Sequence, residues 1–194
     1  MSLKGTETAK NLLASFAGES QARNRYTYYA SAAKKQGYLQ IAEIFLETAE
    51  QEKEHAKRFF KFLAAELHDE AIEITASYPV ALSQETLDNL KSAAAGEHEE
   101  WTDLYPKFAE TARKEGFIDV AQAYENISKV ENFHERRYKK LAKNIENNQV
   151  YEKPETVLWK CSNCGFIYEG TKAPAKCPAC LHDQMYFRLL DQNY

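Results

Sequence analysis

"EKEHAKRFFK" opens at Glu52 and "ENFHERRYKK" opens at Glu131, each with a glutamate three residues before a histidine and a basic, aromatic run behind it. On a helix, positions i and i+3 share a face, so each pair presents one carboxylate and one imidazole side by side. The residues around them say which face. Ile41, Phe45, Thr48, Glu52, His55, Phe59 and Phe62 form one stripe, and Val120, Tyr124, Ile127, Glu131, His134, Tyr138 and Leu141 form another. Both keep the three- and four-residue steps of a helix that turns one side into a core. Polar pairs thus sit where leucine or phenylalanine is expected.

The similarity extends outward. "KKQGYLQIAEIF" (34–45) matches "RKEGFIDVAQAY" (113–124) at the same offset of 79, and so do Tyr26 and Tyr105. "AGE" at 17–19 matches "AGE" at 95–97 at an offset of 78, so the second copy carries one extra residue between Glu97 and Tyr105. A helix absorbs an extra residue most easily as a π-bulge, and Pro106 removes a backbone donor just beyond. The sequence predicts a local bulge at about 98–106. Gly37 and Gly116 stand in short turns between paired helices, "DEAIEITASYPVALSQ" (69–84) breaks the periodicity as a long connection, and Ser83 is the expected N-cap of the third helix. Two duplicated helix pairs joined by one long connection give a mostly α protein, a ferritin-like four-helix bundle.

The first and third helices add to the polar set. Leu12, Phe16, Glu19, Tyr26, Ala30 and Ala33 turn Glu19 inward; Leu90, Ala94, Glu97, Phe108 and Ala112 do the same for Glu97, with Glu100 one turn on. Five carboxylates and two imidazoles then aim at one core. Burying them unpaired costs several kcal/mol each, and like charges repel, so a cation belongs among them. Arg23 is a possible inward residue, but two metal ions balance the set better. One Glu from each of two helices and Glu-x-x-His from each of the others is the di-iron or di-manganese carboxylate pattern. Glu100 aligns with Ala22 in the first copy, so one ion has both Glu100 and His55 in reach. Hard ferric iron favours the carboxylate and ferrous iron accepts the imidazole. His68, His98 and His182 lack such company and read as surface residues.

All four cysteines lie near the C-terminal end: Cys161, Cys164, Cys177 and Cys180. Two C-x-x-C pairs supply four thiolates for one tetrahedral ion, and spacing alone allows either zinc or iron. A bundle that needs electrons favours a redox-active iron. Short β-prone pieces, "ETVLWKC", "GFIYEG" and "MYFRLL", surround the cysteines. The expected division is 1–147 bundle, 148–156 linker and 157–194 β-rich metal module. A formal charge of −4 offers no general attraction to nucleic acid or anionic lipid. No apolar run approaches the roughly 20 residues of a membrane span, and the N-terminus lacks a signal-peptide core, so a cytoplasmic location is expected.

Taken together, "AGESQARNRYTYYA", "ETAEQEKEHAKRFFKFL", "AAAGEHEEWTDLYPKFAE" and "CSNCG…CPAC" resemble the rubrerythrins over nearly the whole chain. The resemblance implies an oxo- and carboxylate-bridged di-iron centre. In it Glu52 and Glu131 bridge, Glu19 is terminal on the first iron, which exchanges Glu100 for His55 on reduction, and Glu97 and His134 are terminal on the second. Tyr26 and Tyr105 match tyrosines that hydrogen-bond around the cluster. Cys161, Cys164, Cys177 and Cys180 hold a single rubredoxin-like iron, with zinc as a possible substitute. Leu181 departs from the pattern, because rubredoxin knuckles often carry glycine there, as Gly165 does in the first. The implied activity is a peroxidase of oxidative-stress defence, reducing hydrogen peroxide to water. Glu100, His55, Tyr26 and Tyr105 are then its catalytic residues. Electrons come from rubredoxin or an NAD(P)H-dependent reductase, since the chain has no nucleotide-binding glycine motif. The family also implies a homodimer whose cysteine module serves the partner's bundle. An iron-storing ferroxidase and a zinc-bearing structural protein are the alternatives; a dedicated electron-delivery module suits neither.

Overall fold

A computed structural model describes residues 2–192; the expected chain limits at 1 and 194 fall outside them. Four helical rods form the bundle. They are α1 (Glu7–Lys35), α2 (Leu39–Leu67), a composite rod of α3 (Thr86–Glu99), a π segment (Glu100–Leu104) and α4 (Tyr105–Lys114), and α5 (Ile118–Glu146). Gly37 and Gly116 make the two tight turns at φ 80° and 86°, a left-handed conformation that suits a residue without Cβ. The bulge expected at 98–106 is present as the π segment, where the Tyr105 N–H donates to the Glu100 carbonyl five residues back.

Helix starts follow local chemistry. The Thr6 side chain accepts from the Ala9 N–H and caps α1. The third helix departs from expectation. Its N-cap is Glu85, without a side-chain cap bond, and Ser83 lies two residues before it, exchanging hydrogen bonds with Asn89 through its backbone and accepting from the Glu85 N–H through Oγ. The Thr86 N–H is taken instead by Gln36 Oε1 at 2.7 Å, from the α1–α2 turn. A tertiary contact supplies what the local sequence does not.

The bundle interior has three layers. Tyr26, Tyr29, Phe45, Leu90 and Tyr138 fill one apolar end. Leu12, Phe59, Tyr105, Tyr124 and Val120 fill the other. Between them Glu19, Glu52, Glu97 and Glu131 are all at most 2% exposed. Alanines at 22, 30, 33, 93 and 94 let the rods approach closely around the aromatic rings.

Beyond α5, β1 (Glu152–Cys161), β2 (Ile167–Lys172) and β3 (Phe187–Leu189) form an antiparallel sheet in the order β2-β1-β3. The β1–β2 register shifts between Glu152 and Val157, a break that contains Pro154, which has no N–H for the ladder. Trp159, Cys161, Ala173, Cys177 and Phe187 make a small separate core. Tyr151 joins the units: its hydroxyl donates to the Gly37 carbonyl at 2.5 Å and its ring stacks on Tyr38. No described helix is long and apolar enough to cross a membrane.

Candidate metal centres

Two overlapping groups of four residues occupy the polar layer. Glu19, Glu52, His55 and Glu131 form one, and Glu52, Glu97, Glu131 and His134 the other, with the candidate ligand atoms of each within 4.8 Å of one another. Glu52 and Glu131 belong to both. This sharing follows from the duplication, since each stripe contributes its own Glu-x-x-His and the two helices face each other.

The short contacts surround a common centre. His134 Nδ1 lies 2.8 Å from Glu131, 3.1 Å from Glu52 and 3.6 Å from Glu97. His55 Nδ1 lies 2.9 Å from Glu52, 3.0 Å from Glu131 and 3.8 Å from Glu19. Yet Glu19 Oε2, Glu52 Oε1, Glu97 Oε2, both oxygens of Glu131 and His134 Nδ1 are buried without a directed hydrogen bond. Buried polar atoms are nearly always paired, and this many orphans converging on one place fit divalent or trivalent ions.

The tyrosines explain why one oxygen of each outer carboxylate is free. Tyr26 donates to Glu97 Oε1 at 2.6 Å, and Tyr105 donates to Glu19 Oε1 at 2.5 Å. Each hydroxyl occupies one oxygen and leaves Oε2 buried without a hydrogen-bond partner. The duplicated tyrosines thus serve the glutamate of the opposite half.

Protonation in the metal-free protein follows the crowding. Burial, then Glu52, Glu100 and Glu131, hold the Glu19 carboxyl well above its ordinary range. Burial and then Glu97, Glu131 and Glu52 do the same for Glu100. Burial and Glu52 raise Glu97 to about 8 against the pull of His134. Burial also works against an ionised Glu52, but His134 and His55 outweigh it and bring the carboxyl to about 2. The imidazoles are the counterparts: burial pulls them down, and bonds to Glu131 and Glu52 carry His55 to about 10 and His134 to about 12. Here protons stand where metal charge belongs.

Glu100 lies outside both groups of four. It sits on the π segment and lines a cavity of about 780 Å³ shared with Gly18, Arg25, Tyr78, Leu104 and Tyr105. In this structure His55, not Glu100, completes the first group. The inward role considered for Arg23 is not observed: it reaches outward to Glu50 at 3.2 Å, because a long stem at that position escapes the crowded layer. His98 is exposed at its side chain but pairs with Glu135 at 3.0 Å. Two residues that stripe reasoning passes over join the periphery. Gln51 Oε1 lies 2.9 Å from His134 Nε2, and Trp101 Nε1 donates to the buried Glu135 at 2.5 Å. The signal for Gln51 was its place one residue before Glu52, where the other copy has Val130.

In the second centre all four cysteine sulfurs lie within 4.8 Å of one another, with Cys161···Cys180 at 3.8 Å and Cys164···Cys177 at 3.7 Å. Tetrahedral thiolates about 2.3 Å from one ion stand about 3.8 Å apart, so the cradle has the size of a metal site. Gly165 and Leu181 both take the left-handed conformation, at φ 79° and 62°. The second knuckle keeps its turn without glycine.

The chain matches the family model "Rubrerythrin" over residues 10–142 and "Rubrerythrin, rubredoxin-like domain" over 159–188. The chain belongs to the rubrerythrin family. Rubrerythrin from Clostridium perfringens is 62% identical over 193 residues, spanning 100% of this chain and 99% of that one. Rubrerythrin-1 from Clostridium acetobutylicum is 62% identical over 194 residues, with the same coverage. A solved structure of fully reduced, all-ferrous nigerythrin superposes with a TM-score of 0.63 at 30% identity, covering 97% of this chain and 92% of that one. Membership places the chain in an oxidoreductase family with a di-iron centre and a rubredoxin-like iron site, and this chain carries both candidate sites.

Proposed function

We propose that this rubrerythrin is a non-haem di-iron peroxidase, reducing hydrogen peroxide with two electrons and two protons to two waters. Its electrons pass from an NAD(P)H-dependent partner through the four-cysteine iron, and the working assembly is a cytoplasmic homodimer in which the module of one subunit serves the bundle of the other. The observation that carries the reading is the set of unpartnered buried carboxylate and imidazole atoms beside a metal-sized thiolate cradle in one chain.

Glu52 and Glu131, which belong to both groups, would be the ligands shared by the two ions. Glu19 and His55 complete the first position, and Glu97 and His134 the second. Cys161, Cys164, Cys177 and Cys180 hold the single iron, within a division of 1–147 bundle, 148–156 linker and 157–194 module. Bound as a ferrous pair, the bundle iron supplies the electrons that reduce the O–O bond. The chain does the rest. Tyr26 and Tyr105 orient Glu97 and Glu19 through their Oε1 atoms. Glu100, whose carboxyl is raised by burial and neighbouring glutamates in the metal-free protein, lines the cavity and would be the group there that passes a proton to a small substrate. His55, which completes the first group, would be the ligand that exchanges with Glu100 at that ion.

The test is the visible spectrum of protein purified without added metal, followed by peroxide added to the anaerobically reduced sample. A red protein, coloured by thiolate-to-ferric charge transfer and rapidly reoxidised by peroxide, is expected. A colourless, zinc-loaded protein unmoved by peroxide would defeat the reading. Dilution to monomer should lower peroxide turnover; unchanged turnover would remove the inter-subunit route.

A further inference from the structure

The two Glu-x-x-His units are equivalent in sequence but not in support. His134 Nε2 lies 2.9 Å from Gln51 Oε1, and the Gln51 amide N–H faces Glu47 Oε1 at 3.4 Å. Glu47 in turn accepts from Arg137 at 2.6 Å. A carboxylate beside a guanidinium is an acceptor only, so the amide must turn its NH₂ to Glu47 and its oxygen to the ring. The ring nitrogen facing that oxygen must then carry a hydrogen. His134 is thereby fixed as an Nε2–H donor whose Nδ1 faces the carboxylates. A string Arg137–Glu47–Gln51 sets both the rotation and the metal-facing atom of this imidazole.

The repeat shows what the other half lacks. At the offset of 79, Gln51 corresponds to Val130 and Glu47 to Asn126. Gln51 stands four residues before His55 on α2 and reaches across to His134 on α5; Val130 stands four before His134 and is, by the repeat, the counterpart of Gln51 for His55. Valine offers no acceptor. Among the described residues His55 Nε2 has no hydrogen-bond partner, and the His55 side chain is 13% exposed against 1% for His134.

We propose that Gln51 is a positioning residue that locks His134 onto its ion, and that Val130 at the reciprocal place is what leaves His55 able to withdraw. The 51/130 pair thus decides which of the two sites is exchangeable. This rests on the di-iron reading for the ions themselves, but the hydrogen bond belongs to the protein alone. Partners that hold the far nitrogen of a ligating imidazole are commonly worth 10–100-fold in metal affinity.

Two measurements on the full-length chain test it. In metal-free protein with ¹⁵N-labelled imidazoles, a slowly exchanging Nε2–H from His134 is expected, lost in Gln51→Leu and kept in Gln51→Glu. Val130→Gln should add a second such proton, from His55. In anaerobic ferrous titrations Gln51→Leu should weaken one of the two bundle ions by 10–100-fold, while Gln51→Glu, which keeps an acceptor, stays within about threefold of the parent. Undiminished binding of both ions by Gln51→Leu would overturn the proposal, as would a His134 Nε2–H equally protected in that variant. If the parent itself takes up no ferrous iron in the bundle, the di-iron reading fails, and the imidazole protons still decide the positioning role.

Discussion

Each glutamate of the central layer is destabilising alone and stabilising only in company, and this gives the metal-free protein a distinctive pH response. Glu19, Glu97, Glu100, His55 and His134 all bind protons more tightly folded than unfolded. A raised folded value contributes stability that is complete below the unfolded value and is lost as pH rises through the folded one. For Glu97 that loss runs from 4.5 to about 8, and for His55 from 6.5 to about 10. Glu52, depressed to about 2, has the opposite sign and loses its contribution as pH falls below 4.5. The metal-free protein should therefore have its highest Tm near pH 4.5 and lose stability steadily toward pH 9. Iron replaces the protons and binds better as they leave, so the loaded protein should lack this decline. Thermal melts by circular dichroism over that range, with and without metal, check both signs. Leu181 gives a second prediction. It is 73% exposed and holds φ 62°, a conformation costing a side-chain-bearing residue about 1–2 kcal/mol. Glycine relieves that strain and returns about 0.4–1 kcal/mol to the unfolded chain. Leu181→Gly should raise the urea midpoint of the metal-loaded module slightly, followed through Trp159 fluorescence; a lower midpoint would mean that the leucine makes a contact the exposure conceals.

The π segment shows how an element can be written in a sequence and still need the fold to complete it. The change of offset between Glu97 and Tyr105 declared one residue too many, and that alone located the bulge. What stabilises it was not legible, because the partners come from α5. With Tyr105 N–H given to Glu100, the Trp101 carbonyl loses its usual donor and accepts from Ser128 Oγ at 3.2 Å. The indole is held by Glu135, itself buried and bonded to Lys139 and His98. Trp101→Phe removes the bond to a charged acceptor and should cost about 1.5–3 kcal/mol. The loss should appear as faster hydrogen exchange concentrated at amides 100–106, with the α1–α2 pair unaffected. Uniform loosening of the bundle would show instead that the indole acts through general packing. The same distinction runs through the helix ends. Thr6 was a cap by its own chemistry, whereas α3 is capped by Gln36 from a turn 50 residues away, which no local pattern at Ser83 or Glu85 contains. The stripes, the turns at Gly37 and Gly116 and the four-cysteine spacing were legible because periodicity and spacing encode them. The outward path of Arg23 and the grip of Gln51 on His134 were not, because they depend on which rods face each other.

At the scale of the whole chain, two units are held by different forces. The bundle has two large aromatic and aliphatic clusters on either side of its polar layer. The C-terminal module has a core of five fully buried residues, two of them cysteines. So small a core rarely sustains a fold unaided, and closing the loops between Cys161 and Cys180 through one ion is what stabilises the sheet. Attachment to the bundle through Tyr151, the Tyr38 stack and the exposed Arg188–Glu43 pair at 3.1 Å adds too little to replace it. Removing the metals should thus unfold the chain in two stages. Once the thiolate ion is withdrawn by a chelator under reducing conditions, Trp159, now 0% exposed, should shift its emission to the red. The helical signal at 222 nm should stay nearly unchanged, since the bundle glutamates can hold protons in place of charge. That signal should be lost only at higher temperature, in a transition that carries the pH dependence of the metal-free layer. A single transition in which tryptophan emission and helix content change together would show instead that the contacts at Tyr151 and Gly37 bind the two units into one cooperative structure.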